Sequence, residues 1–136
     1  MNLYNNYTYL YPPRPEVKIN PRIINTYDKG QFLAQPKYNG SCAVLFINGD
    51  TGFYKIMNRH NEPFSKDKIK MEEMDFGAAY RGTGWLVLCG ELLNKAKTGE
   101  DGKLFNQKFI IWDILVYNSE YLLGTTVIER LELLEK

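Results

Sequence analysis

Residues 41–59 read SCAVLFINGDTGFYKIMNR, and this stretch decides the fold. SCAVLFI is an apolar run of strand length. Asn48-Gly49-Asp50 follows, and both Asn and Gly tolerate the positive φ of a tight hairpin turn. FYKIMNR then returns as a second strand. The pattern predicts an antiparallel hairpin centred on Asn48-Gly49, which carries the Asn58-Arg59 end back beside residues 37–40.

Toward the C-terminus, WLVLCGELL (85–93) reads as a strand and FIIWDILVY (109–117) as a central strand, apolar on both faces. Residues 95–103, rich in Lys, Gly and Asp, read as a solvated hairpin loop. MEEMDFGAAY (71–80) reads as a short helix interrupted by Gly77. At the end, Thr126-Val127-Ile128-Glu129 fits a capping box. An apolar stripe of Val127, Leu131 and Leu134 follows, in a helix expected to run to the last residue without a C-cap. Toward the N-terminus, the Tyr- and Pro-rich residues 1–15 read as extended. Asn20-Pro21 reads as a helix start and Gly30 as its stop. The sum is an α+β class, an antiparallel β-sheet with flanking helices.

The chain has 136 residues, one domain's worth, and its 44% apolar and 24% charged content is that of a soluble globular protein. A net charge of +1 excludes a strong global field toward nucleic acid, so such a partner must be held by a local patch. No apolar run approaches the ~20 residues of a membrane span, and no secretory leader is expected. Cys42 and Cys89 lie in apolar strand-like runs and are expected reduced and buried, which points to a cytoplasmic setting.

Four features carry candidate chemistry. Lys37 stands beside the turn-forming Asn39-Gly40, between FLA and CAVLFI. It is either a solvated turn residue or a nucleophile, and the second role needs a neutral amine, obtained through burial or a neighbouring cation. Arg59 ends the returning strand and is either a surface arginine or a fork of donors for phosphate and ribose oxygens. Glu91 is a carboxylate on the same strand face as Cys89 and Val87. It is either salt-bridged for structural reasons or a ligand. Trp112, placed by alternation on one face with Ile110 and Ile114 and opposite to Phe109, is either core or a stacking platform for a base.

Taken in order, these pieces resemble the covalent nucleotidyltransferase superfamily, which contains the ATP-dependent DNA ligases, RNA ligases and mRNA capping enzymes. Lys37-Tyr38-Asn39-Gly40 resembles the K-x-[DN]-G nucleophile motif, IMNRHN the arginine motif, and LCGELL the D-G-E-L glutamate motif. FIIWDILVYN, followed by LLG and an E-R-x-x-x-L helix, resembles the ligase F-D-I-L segment with its trailing helix. The resemblance runs from Gln35 to the C-terminus. It implies a partial ATP-grasp-like nucleotidyltransferase (adenylation) domain.

The resemblance also implies roles. Lys37 would attack the α-phosphate of ATP to give a lysyl–AMP phosphoramidate and pyrophosphate. Gln35 would read the adenine edge, and Asn39 and Gly40 would complete the nucleotide-binding loop. Arg59 and Glu91 would hold ribose and phosphate, with Glu91 also meeting a water on Mg2+. Trp112 would stack on adenine. The partner would be nicked or broken DNA or RNA.

Departures from the family pattern shape the expectation. Cys42 stands where many DNA ligases and capping enzymes carry arginine, and Asn39 replaces the commoner aspartate. Both leave RNA ligase open, while the segment from residue 109 to the last helix leans toward DNA ligase. The family's later motifs, with a second metal-binding glutamate and phosphate-binding lysines, are absent, as is the small OB-fold domain. Residues 1–136 therefore read as the N-terminal portion of the domain, expected to form little adduct without a C-terminal half. Two alternatives stand beside this reading: an RNA-capping-type nucleotidyltransferase, and a non-catalytic truncated module that binds a nucleotide or a protein partner.

Overall fold

The computed structural model of the chain describes residues 7, 20–26, 29–30, 33–38, 40–64, 80–93, 97–98, 104–105 and 108–135. A 3-10 segment, Pro21–Thr26, comes first. The strands are β1 (Ser41–Asn48), β2 (Tyr54–Asn58), β3 (Trp85–Leu93), β4 (Lys97–Thr98), β5 (Leu104–Phe105), β6 (Lys108–Tyr117) and β7 (Glu120–Tyr121), followed by helix α1 (Val127–Leu134). Five strands form one antiparallel sheet in the order β2-β1-β3-β6-β7, and β4 pairs with β5 apart from it. The protein is a small α+β fold built on that sheet.

Both faces of the sheet are covered, which is why β1 and β3 read as continuous apolar runs. Ala43, Leu45 and Ile47 join Ile56, Leu86, Leu88, Leu92 and Ile114 in one buried cluster, and Leu133 and Leu134 of α1 pack against it. Val44, Phe46, Met57, Val87 and Val116 form the second cluster, on which Tyr7 lies. The Tyr7 ring meets Phe46 edge-on at 5.3 Å. Cys89 is buried, Cys42 is half-buried, and the two form no disulfide. Among the described residues no helix is long and apolar enough to cross a membrane.

The capping box forms as expected. The Thr126 amide donates to Glu129 Oε2 at 2.6 Å, and the Glu129 amide donates to Thr126 Oγ1 at 3.2 Å. The bond from the Thr126 backbone holds the Glu129 carboxyl below its ordinary pKa. The apolar stripe differs from expectation: Val127 is exposed, and Leu133 joins Leu134 against the core. Glu135 serves as the C-cap.

Several other expectations are corrected. The β1–β2 pairing sets Ile47 opposite Tyr54 and Ala43 opposite Asn58, so it is centred between Asp50 and Thr51 rather than on Asn48-Gly49. The turn is wider because Asn48 Oδ1 accepts the amides of Asp50 and Thr51, and because Gly52, not Gly49, takes the positive φ, +73°. Gly49 is required for another reason: a Cβ there would sit 2.0 Å from the Gly82 carbonyl oxygen. The segment after Asn20 is a 3-10 turn ending at Thr26, short of Gly30. Part of 95–103 is extended, since Lys97 and Thr98 pair with Phe105 and Leu104. β6 lies inside the sheet between β3 and β7, and among the described residues β7 covers its outer edge at Val116 and Tyr117. The helix expected at 71–80 and the extended 1–15 lie outside the described residues, Tyr7 and Tyr80 excepted.

Candidate functional site

The candidates Gly40, Arg59 and Glu91 lie toward one end of the sheet, where β1 begins, β2 ends and β3 ends, while Trp112 lies opposite the middle of β3. Cys42 faces Glu91, Glu91 faces Ile110, and Ala43 faces Asn58, so Arg59 follows β2 about one strand's width beyond Cys42. A transverse row results, running Arg59, Cys42, Glu91, Ile110.

Lys37 lies in the irregular stretch before β1 and is exposed. Burial, one of the two routes to a neutral amine, is therefore not supplied at Lys37. Asn39 lies outside the described residues. Gly40 joins the lysine segment to the sheet, because its amide donates to Glu91 Oε1 at 2.8 Å. Its backbone presses on β3, and a Cβ there would meet the Leu92 carbonyl oxygen at 2.5 Å and Glu91 Cγ at 2.9 Å. Close approach, not positive φ, demands the glycine. Glu91 is half-buried, on the same strand face as Cys89 and Val87.

Arg59 is exposed at the head of a tight turn. Asn58 builds that turn, its Oδ1 accepting the amides of His60 at 2.8 Å and Glu62 at 3.1 Å. Arg59 Nε donates to His60 Nε2 at 3.4 Å, which requires a lone pair on that nitrogen.

Trp112 sits where β6 slips against β3. Cys89 faces Asp113 and Gly90 faces Ile111, so Trp112 is the extra residue of a bulge. A second slip lies between Val87 and Leu88. Ile110 is opposite Glu91 and Ile114 opposite Leu88, three residues apart on β3, so the two isoleucines occupy opposite faces. The expected common face of Ile110, Trp112 and Ile114 is thereby corrected; the bulge reverses the alternation. Gln35 Nε2 reaches the Trp112 carbonyl at 3.5 Å.

Two pairs of candidate residues are thus in contact, Gly40 with Glu91 and Gln35 with Trp112, while the partner of Arg59 described above is its neighbour His60. Sequence reasoning missed a third pair. Asp113 Oδ1 accepts Arg130 Nε of α1 at 2.8 Å and the Ile114 amide at 2.9 Å. Arg130 also donates to the Thr125 carbonyl at 2.7 Å. A lone carboxylate within FIIWDILVY was the available signal, since such a group needs a partner when sheltered. The clamp links β6 to the start of α1.

Among the described residues no three His, Cys, Asp or Glu side chains cluster as a metal cage. Magnesium carried by a triphosphate needs only one or two protein carboxylates, with phosphates and waters supplying the rest. A single Glu91 fits that requirement. No known protein family matches the chain, and no curated protein does either.

Proposed function

We propose that this chain carries the nucleotide-attaching part of an ATP-dependent polynucleotide ligase, with DNA favoured over RNA as the strand sealed. The observation that carries the reading is the bond from the Gly40 amide to Glu91 Oε1. It ties the loop bearing the candidate nucleophile to the strand bearing the candidate phosphate- or ribose-binding carboxylate, residues remote in sequence. The contact of Gln35 with the Trp112 bulge supports it at a second point.

The chemistry assigned to the residues is as follows. Lys37 Nζ, having lost a proton to solvent, forms a bond to the α-phosphorus of ATP. The bond from that phosphorus to the bridging oxygen breaks, and pyrophosphate leaves. A 5′-phosphate oxygen of the nucleic acid then takes the AMP, breaking the phosphorus–nitrogen bond. The 3′-hydroxyl next attacks the activated 5′-phosphorus, and AMP leaves. Arg59 holds phosphate or ribose oxygens through its fork of donors. Magnesium bound near Glu91 would neutralise phosphate charge during the first transfer.

Because Lys37 is exposed, burial does not prepare it for attack, and the reading leaves that task to cationic partners in a complete site. The 136-residue chain alone is accordingly expected to bind ATP and form little adduct. The test uses α-labelled ATP with the chain, alone and extended by the later half of an adenylation domain, which the reading requires. The extended protein should retain label in a bond that is acid-labile and alkali-stable, as a phosphoramidate is. Lys37→Ala should abolish it. Undiminished labelling of that variant would remove Lys37 from the reaction and the reading with it.

A further inference from the structure

We infer that Asn48-Gly49 is a modification site, an asparagine able to become isoaspartate, whose reaction the fold holds back through Gly84. The Gly49 nitrogen gives its proton to a solvent base and bonds to Asn48 Cγ. The bond from Cγ to Nδ2 breaks, and ammonia leaves with a proton from water. Water then opens the cyclic succinimide at either carbonyl, giving aspartate or isoaspartate. Glycine in the following place favours closure, because it sets no Cβ against the forming ring. The site lies at the far end of β1 from Gly40 and is independent of the nucleotide reading.

One partner in this reaction is prepared and the other is withheld. Asn48 Oδ1 accepts the amides of Asp50 at 3.0 Å and Thr51 at 3.2 Å. Donors so placed polarise the side-chain carbonyl and favour negative charge growing on its oxygen. The nucleophile is held elsewhere, because the Gly49 amide donates to the Gly84 carbonyl at 2.8 Å. Gly84 is fixed in turn, since its own amide donates to Asp50 Oδ2 at 3.0 Å. Asn48 is the last residue of β1, opposite Trp85, and its amide donates to the Phe53 carbonyl at 2.8 Å. Ring closure requires the Gly49 amide to leave Gly84. Both Asn48 and Gly49 are half-buried rather than sealed, so a solvent base reaches them once that link opens.

The two products act differently on the sheet. Aspartate keeps an oxygen for the Asp50 and Thr51 amides. Isoaspartate adds a methylene to the main chain between β1 and the turn, so the turn no longer meets Phe53 and Gly84 in one register.

The experiment ages the intact chain at mildly alkaline pH, folded and in urea. Tandem mass spectrometry locates the product at Asn48 rather than at Asn39. The folded chain should react more slowly by about tenfold or more, as a site opened only by local fluctuation does. Asp50→Ala frees the Gly84 amide and should quicken the folded reaction about fivefold, the factor of one hydrogen bond. Asp50→Asn keeps an acceptor and should stay near the parent. Ile114→Val, a mild change in the core, should also leave the rate unchanged. Circular dichroism checks that each variant is folded. No isoaspartate at Asn48 even in urea overturns the site, and equal rates folded and unfolded overturn its protection. An unchanged rate in Asp50→Ala, or an equal rise in Asp50→Ala and Ile114→Val, overturns the part assigned to Gly84.

Discussion

Gly40 and Glu91 are 51 residues apart in the chain, and the amide of the first donates to the carboxylate of the second at 2.8 Å. One carboxylate thereby has two separable jobs, holding a loop and carrying a charge. Glu91→Gln keeps an acceptor for the Gly40 amide and removes the charge. Its melting temperature should stay near that of the parent, while affinity for magnesium–ATP falls. Glu91→Ala removes the acceptor too and should cost about 1 kcal/mol, as expected for one hydrogen bond. Chemical denaturation and calorimetric titration of both variants separate the two jobs. Equal destabilisation by Gln and Ala would show that the carboxylate's charge, not its acceptor, holds the loop.

Gly40→Ala tests the close approach itself. Its methyl would lie 2.5 Å from the Leu92 carbonyl oxygen, which is backbone of a central strand and cannot yield cheaply. A loss of about 1–3 kcal/mol is expected from such overpacking. Nucleotide affinity should fall as the lysine segment lifts from β3. A melting curve superimposable on the parent's would refute the contact.

The Asp113–Arg130 pair keeps 25% and 18% of its side-chain surfaces exposed, so it is sheltered without being desolvated. Arg130→Met should cost about 1–3 kcal/mol, more than an open surface pair, because the Asp113 carboxylate and the Thr125 carbonyl lose a donor together. Hydrogen exchange at the start of α1 should quicken by the corresponding factor. Unchanged exchange there would mean that the helix docks through Leu133 and Leu134 alone.

Alkaline pH should loosen the Tyr7 contact. Burial, aided by Cys89, Tyr121 and Asp113, pushes the phenol from 10.0 up to about 12. A raised value means that the fold favours the neutral form. That contribution is complete below the ordinary phenol value and is lost as pH rises through about 12. Urea midpoints measured across this range should fall in the parent and fall less in Tyr7→Phe. Identical alkaline profiles would contradict the burial of Tyr7.

Much of the fold was legible because β1 and β3 are buried on both faces. A run such as CAVLFI or WLVLC admits few other readings, and the capping box at Thr126 and Glu129 is a purely local device. What the sequence concealed was register. Asn48 turns the chain with its side chain rather than through a two-residue bend, and this moved Arg59 from beside the lysine segment to the level of Cys42. Nothing in FIIWDILVY announces that Trp112 is one residue too many for β3, so alternation misplaced Ile110 relative to Ile114. Gly40 with Glu91, and Gln35 with the Trp112 carbonyl, depend on that register and on a loop without periodicity. Their residues could be nominated from the sequence, but their contacts could not be foreseen.

The sheet's connectivity also orders its assembly in time. The β1–β2 hairpin closes between Asn48 and Phe53, whereas β3 reaches β1 with Trp85 opposite Asn48, after all of residues 49–84 have been spanned. Closing the short loop first is entropically cheaper, and a formed hairpin gives β3 a template. Asn48→Ala, which takes away the turn's internal acceptor, should mainly slow refolding, while Leu88→Ala in β3 should mainly hasten unfolding. Stopped-flow measurements would display the two as shifts of opposite arms of the chevron. On this scheme the end of the sheet that carries Gly40 and Glu91 forms late, because it needs strands from both sides of the long connection.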